Sequence, residues 1–343
     1  MRLPISTSGR VESLEHSSLG STRTSLDPPA SLTCGWAAWS TCSAARRTNP
    51  TPGSSTREGS SSARRSPNES LGLTRTPSRV TGGRSALAAL ERRRNRECRL
   101  TPDRALESLD DAASFLADRG LLTRMPDSAL PSLFGACHES PARAGGRGFD
   151  LWPRSKWIWS FQLTLRPGTL LTKLHRGKSL YLMADTARLF DPLVRQSIAA
   201  ASGDEAMLLA HLAKHGESTL DDLEVELAWD RKRVKRVRDR LQHVGAVVGD
   251  GLVFEDESTW HFAPLRRWDD LFDKAAAVEH PYDAVVMAAM RAAVLARVDD
   301  LRNWFSWPIP LETVDRLVDE GRLKRPVPGW LAVADRTARG SDH

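Results

Sequence analysis

Between residues 230 and 241 the chain sets seven cations, Arg231, Lys232, Arg233, Lys235, Arg236, Arg238 and Arg240, against two acids, Asp230 and Asp239. Cations at this density neutralise phosphates and release the counterions condensed on them. Val234, Val237, Leu241 and Val244 step by 3, 4 and 3, the period of one helix face. At about 100° per residue, Lys232, Lys235, Arg236 and Asp239 then project away from that seam. Arg231 and Arg238 fall on one flank, Arg233 and Arg240 on the other. A narrow cationic helix is the shape a DNA major groove admits. Arg266 and Arg267 are further candidates for phosphate contact. A second basic patch, Lys173, Arg176 and Lys178, follows a Trp-rich stretch that reads as a core edge with solvated cations, with stacking platforms beside phosphate-facing cations as the alternative.

Other chemistry is thinner. Gly177-Lys178-Ser179 has the end of a phosphate-binding P-loop, but Thr172 stands where the motif needs its first Gly. His211 and His215 have the i, i+4 spacing of a helical metal site. No Glu follows His211, so they read as two surface histidines. Cys34, Cys42, Cys98 and Cys137 show no CxxC spacing, which speaks against a disulfide scaffold or zinc ribbon and fits a reducing compartment. No metal or cofactor is expected.

The elements that must position the basic helix can be read around it. A first helix covers 204–215 and stops at Gly216. Thr219 caps a second, with Asp222 in capping-box position and Leu220, Leu223 and Leu227 on its inner face. Asp230 caps the third, which Gly245 ends. Residues 246–255 and 259–263 read as two strands around Asp256-Glu257-Ser258, with Gly249-Asp250-Gly251 as the alternative turn. That order predicts a winged helix-turn-helix over 203–268, whose acidic or neutral wing tip is a poor phosphate ligand. The pattern partly repeats over 282–335. There the third helix carries Glu312, Asp315, Asp319 and Glu320 against Arg316, so this copy reads as a packing or dimerisation module.

Residues 105–200 read as a mixed α/β segment. Ser108 caps a helix over 109–119 with Gly120 as its stop. Trp152, Trp157, Ile158, Trp159, Phe161, Leu163 and Leu165 predict one or two strands, and 169–174 another after the Arg166-Pro167-Gly168 turn. Residues 180–190 fit either a helix or a strand-helix join. Residues 1–104 read as a disordered Arg/Ser-rich tail, with a helix starting around 85–96. The fold class expected is α+β, mainly α: tandem winged helix-turn-helix modules after a Trp-rich mixed segment, with a disordered N-terminal tail.

The net charge of +6 is uneven. Residues 1–105 hold 17 Arg, no Lys and 8 acids, so the remainder is net acidic and any phosphate binding must be local. No run approaches the ~18 apolar residues of a membrane span, and no signal-peptide core opens the chain. The expected location is cytoplasmic and nucleoid-associated. The expected partners are double-stranded DNA, no membrane, and a second copy through the C-terminal module. High Ala and Arg with few Lys and Ile fit a GC-rich bacterial genome.

Leu130-Pro-Ser-Leu133, Trp157-Ile-Trp159 and Lys173-Leu-His-Arg-Gly177, set before two winged-helix patterns, resemble the AlkZ-like winged-helix family, especially its AlkZ-related branch, over about residues 106–334. The resemblance implies tandem winged helices on DNA. It also implies kinship with bacterial glycosylases that unhook alkylated or crosslinked bases through a Gln-aliphatic-Gln or Gln-aliphatic-Asp motif. Of Gln162, Gln196 and Gln242, none has Gln or Asp two positions on. Gln162-Leu-Thr164 is the nearest form, which leaves Gln162 as a weak catalytic candidate. The expectation is a noncatalytic duplex-binding protein. A divergent glycosylase or lesion binder and a winged-helix protein-interaction scaffold stand as alternatives.

Overall fold

The computed structural model describes residues 78–334 except 250, 251, 262 and 275–277, with side chains from 85 onward. The fold is α+β: about half of the described residues are helical, and the strands form small antiparallel sheets.

After α1 (Ser78–Glu97), Ser108 Oγ accepts the Asp111 N–H at 3.1 Å and opens α2 (Leu109–Arg119), which Gly120 ends in the left-handed region. Then come β1 (Leu121–Thr123), α3 (Leu133–Ala136), α4 (Trp159–Gln162), β2 (Thr169–His175) and β3 (Lys178–Met183), in sheet order β1–β3–β2. The strands expected over 152–165 are instead helical turns, with 3-10 segments Lys156–Ile158 and Leu163–Leu165 flanking α4. Aromatic content favours strands, but here Trp157, Ile158 and Phe161 converge at i, i+1 and i+4. The Ser160 and Thr164 hydroxyls donate back to the carbonyls of Trp157 and Phe161, three residues earlier. The 180–190 ambiguity resolves as β3 followed by α5 (Ala184–Arg188); α6 (Asp191–Ala199) comes next.

The same order of elements recurs twice. In the second unit α7 (Gly203–His215), α8 (Leu220–Glu226) and α9 (Arg231–His243) precede β4 (Val247–Val248), β5 (Val253–Phe254), β6 (Trp260–His261) and β7 (Arg266–Arg267). β4 pairs with β7, and Ser218 bridges Leu265 beside it. The helix α10 (Trp268–Leu271) follows. In the third unit α11 (Pro281–Ala293), β8 (Leu295–Arg297), α12 (Val298–Leu301), α13 (Leu311–Asp319), β9 (Leu323–Lys324) and β10 (Trp330–Val333) close in sheet order β8–β10–β9. Each unit thus runs helix, strand or bridge, two helices, then two strands with the last lying centrally, and the second unit inserts the β5–β6 hairpin between those two. The segment 105–200 is mixed α/β, and its elements follow this order too.

Three cores hold the units. One belongs to the second unit: Leu208, Leu212, Leu223, Trp229, Val234, Val237, Leu241 and Leu265. A second, aromatic, lies in the first unit around Phe115, Trp152, Phe161 and Tyr181, and takes in Phe254 from β5. The third is shared: Leu182, Phe190 and Val194 pack with Trp268 and with Met290, Trp304, Phe305 and Leu331. The C-terminal module thus buries apolar residues of its helices and sheet inside its own chain. Gly245 (φ +72°) sits where units meet; a Cβ there would lie 2.9 Å from Leu174 Cδ2.

The tail expected over 1–104 lies outside the described residues as far as 77, as do Cys34 and Cys42. From 78 on the chain is folded, which corrects that boundary. Cys98 is fully buried with its thiol donating to the Ala292 carbonyl, Arg94 donates to Ala129 O, and Glu97 pairs with Arg119 at 2.8 Å. Among the described residues no helix is long and apolar enough to cross a membrane.

Candidate nucleic-acid interface

Asp230 Oδ1 accepts the Arg233 N–H at 2.9 Å and starts α9 in the predicted place. Val234, Val237 and Leu241 are buried. Lys232, Lys235 and Arg236 are exposed on the opposite side.

Five arginines of α9 have acid partners. Arg231 pairs with Asp221 and, at 2.8 Å, with Glu224. Arg233 clasps Asp204 through Nε and Nη2 at 3.1 and 2.7 Å, with its guanidinium 4.5 Å from the Trp229 ring centre. The Arg233 hydrogen bond holds the Asp204 carboxyl below the usual carboxylate range. Arg236 and Arg240 sit 3.7 Å from Asp204 and Glu205. Arg238 is a correction. Its side chain is only 8% exposed and bonds Asp239 at 2.6 Å, on the helix that β2 packs against. Helical periodicity placed Arg238 on a flank but had no view of that neighbouring strand.

Arg266 remains exposed, 3.6 Å from Glu217. Arg267 does not: it bonds Asp269 and donates to Leu209 O at 3.1 Å, tying β7 to α7. In the second patch, Lys173 donates to Ser179 Oγ at 3.0 Å. Lys178 pairs with Asp127, and Arg176 lies 3.9 Å from the same carboxylate. Nothing in the sequence marked Asp127 or the buried His175 that joins it, because they meet only when the loop after β1 crosses the β2–β3 turn.

The hairpin β5–β6 turns at Asp256, which accepts the N–H groups of Ser258 and Thr259 at 2.7 Å. The Ser258 hydroxyl, donating to the same carboxylate at 2.8 Å, and then these N–H groups hold its pKa at about 2. Of the alternative turn at Gly249-Asp250-Gly251, residues 250 and 251 lie outside the described residues. The hairpin leans on the first unit: Phe254 packs 4.5 Å from Phe161, and Gln162 Nε2 donates to Glu255 O at 2.9 Å. Gln162 is thus a tether between units. Trp260 is 52% exposed on β6.

His211 is buried rather than superficial, 2.7 Å from Glu226 and stacked on His215. No group of three or more metal-capable side chains gathers among the described residues. A cleft of about 760 Å³ opens between α1, α11 and the α13–β9 turn, with Met287 and Met290 in its floor and Arg93, Arg119, Arg291 and Arg322 around it. It contains none of the residues singled out from sequence. On α13, Glu312, Asp315 and Asp319 are exposed, so that third helix presents acids where α9 presents cations. The chain matches no protein-family model, and comparison with curated proteins and with solved structures finds no match.

Proposed function

We propose that this chain binds double-stranded DNA, with α9 meeting the major groove through Lys232, Lys235 and Arg236. On this reading the three units are winged helix-turn-helix folds, and α9 is the recognition helix of the second. The carrying observation is the division of α9, whose valine-leucine seam is buried while these three cations stand exposed on the other side. The Asp204–Arg236 pair does not bar phosphate. An exposed ion pair contributes only ~0–1 kcal/mol, so a polyanion can displace it. The resemblance to the AlkZ-like family, itself part of the proposal, adds a DNA-binding lineage. The reading is noncatalytic because Gln162, the nearest match to that family's motif, spends its amide on the Glu255 carbonyl.

The test is Lys232→Glu, Lys235→Glu and Arg236→Glu together in the full chain. Duplex binding by fluorescence anisotropy is lost while circular dichroism is unchanged; binding that persists refutes the assignment. A second reading, a protein-interaction scaffold, is favoured by the acids that partner Arg231, Arg233, Arg236 and Arg240. It predicts no duplex binding near physiological salt and a defined protein partner in pull-down.

A further inference from the structure

The β2–β3 connection is a two-residue turn. His175 pairs with Lys178 across it, and Arg176 (φ +54°) and Gly177 (φ +78°) both take positive φ, the signature of a type I′ hairpin. Glycine suits this region; an arginine there is uncommon and is held with its side chain at the surface. The turn also touches the last turn of α9, since a Cβ on Gly177 would lie 3.0 Å from His243 Nδ1. The cations of the turn and those of α9 therefore belong to adjoining surface.

One carboxylate occupies the turn. Asp127 Oδ1 lies 2.9 Å from His175 Nε2, and Oδ2 bonds Lys178 Nζ with Arg176 Nη2 at 3.9 Å. Arg176 and Lys178 are 38% and 56% exposed, so both are open to solvent while paired. His175 has an alternative partner. Its Nδ1 meets Trp304 O at 2.5 Å, and a carbonyl only accepts, so Nδ1 carries a proton. Nε2 then either donates to Asp127 as part of an imidazolium or, in the neutral ring, accepts from Arg176 Nη2 at 3.1 Å. The buried ring keeps a partner whether or not Asp127 stays.

We infer that Asp127 is an internal stand-in for phosphate, holding Arg176 and Lys178 until a phosphodiester displaces it and extends the α9 contact onto the first unit. This rests on the DNA-binding reading above. A phosphate suits the exchange because its oxygens can bond the guanidinium and the ammonium together.

The test is Asp127→Asn in the full chain, whose amide oxygen still faces His175. Asp127→Ser is the second variant, and thermal unfolding reports whether each folds. Binding to a short duplex at 50 mM salt tightens about fivefold or more, from release of cations some 4 Å from a carboxylate. The plot of log K against log salt keeps its slope, because the same two cations meet phosphate in wild type and variant. Arg176→Gln with Lys178→Gln in the Asp127→Asn background cancels the gain and lowers the slope by almost 2, about 0.9 for each cation lost. Equal or weaker binding by a folded variant overturns the inference, as does a gain that survives loss of Arg176 and Lys178. If wild type binds and Asp127→Asn merely matches it, the DNA reading stands and the gate falls. If neither binds, both fall.

Discussion

On the proposed DNA-binding reading, the salt dependence of duplex binding measures how many cations of α9 reach phosphate, and exposure on the helix supplies the number expected. Arg238 is buried, Arg231 and Arg233 are clasped by acids of α7 and α8, and Arg240 lies on the flank beside Glu205. Lys232, Lys235 and Arg236 remain on the outward face. At about 0.9 per neutralised phosphate these three contribute a slope near −2.7, roughly a 40-fold loss of affinity between 50 and 200 mM salt. Seven contacts would contribute about −6.3, a loss of roughly 6000-fold. The basic N-terminal sequence can add a slope of its own, so the measured quantity is a difference between variants. Replacing Lys232, Lys235 and Arg236 by Gln lowers the slope magnitude by about 2.7 in anisotropy titrations of the full chain. Replacing Arg231, Arg233 and Arg240 by Gln changes it by much less. A drop under about 1 for the first set, or equal drops for both, would show that the exposed face of α9 is not the contact surface.

Three further outcomes follow from burial and charge. Burial pushes the Asp127 carboxyl up, but hydrogen bonds from His175 and Lys178 and their charges outweigh it and hold it well below the usual range. Its stabilising contribution is therefore full above the unfolded value of about 3.9 and fades as pH falls below it. The urea-stability gap between wild type and Asp127→Asn should hold steady from pH 7 to about 4 and narrow toward pH 3 and below; a gap that does not narrow there contradicts the pairing. Burial pushes the Cys98 thiol to about 11 and the Cys137 thiol to about 12. With Cys34 and Cys42 replaced by Ser, a thiol reagent at mildly alkaline pH should label neither until denaturant is added, and fast native labelling would contradict their burial. Deleting residues 1–104 removes α1, the buried Cys98 and the Glu97 partner of Arg119. Tm should fall by about 5 °C or more in calorimetry, whereas an unchanged Tm means that α1 is not integral to the fold.

The second unit was legible because local chemistry and burial agree there. Thr219 and Asp222 form a capping box, Asp230 caps α9, and the 3-4-3 seam points into one core. The first unit was not, because its core is aromatic and long-range. Arg124 Nε donates to the Tyr181 hydroxyl, with its guanidinium 5.1 Å from the Trp152 ring, across three stretches of chain. No local period encodes that meeting, so the Trp-rich run looked like strands. The end of α11 was not legible for a related reason. Val294 takes φ +68° after α11 and turns the chain into β8, a conformation that composition does not announce for a β-branched residue. The site was legible only as a list of cations. Which of them are free to act depended on Asp204, Asp221 and Asp127, acids far away in sequence.

The three copies of one topology have diverged in what their third helices can do. In the first unit, α4 is one short turn, and the β5–β6 hairpin packs on its Phe161 and Gln162, so no groove can reach it along that face. In the third, α13 buries Val314 and Leu317 and shows Glu312, Asp315 and Asp319, which repel phosphate. Only α9 combines length, an inward seam and outward cations. On the proposed reading a chain with three such units offers one helix to a groove, and the first and third units share a core that includes Leu174 and Leu180 of the strands flanking the β2–β3 turn. On this argument the repeat does not lengthen the reading surface. It supplies packing partners for one helix and for the turn that Asp127 occupies, whose Gly177 lies against His243 of that helix.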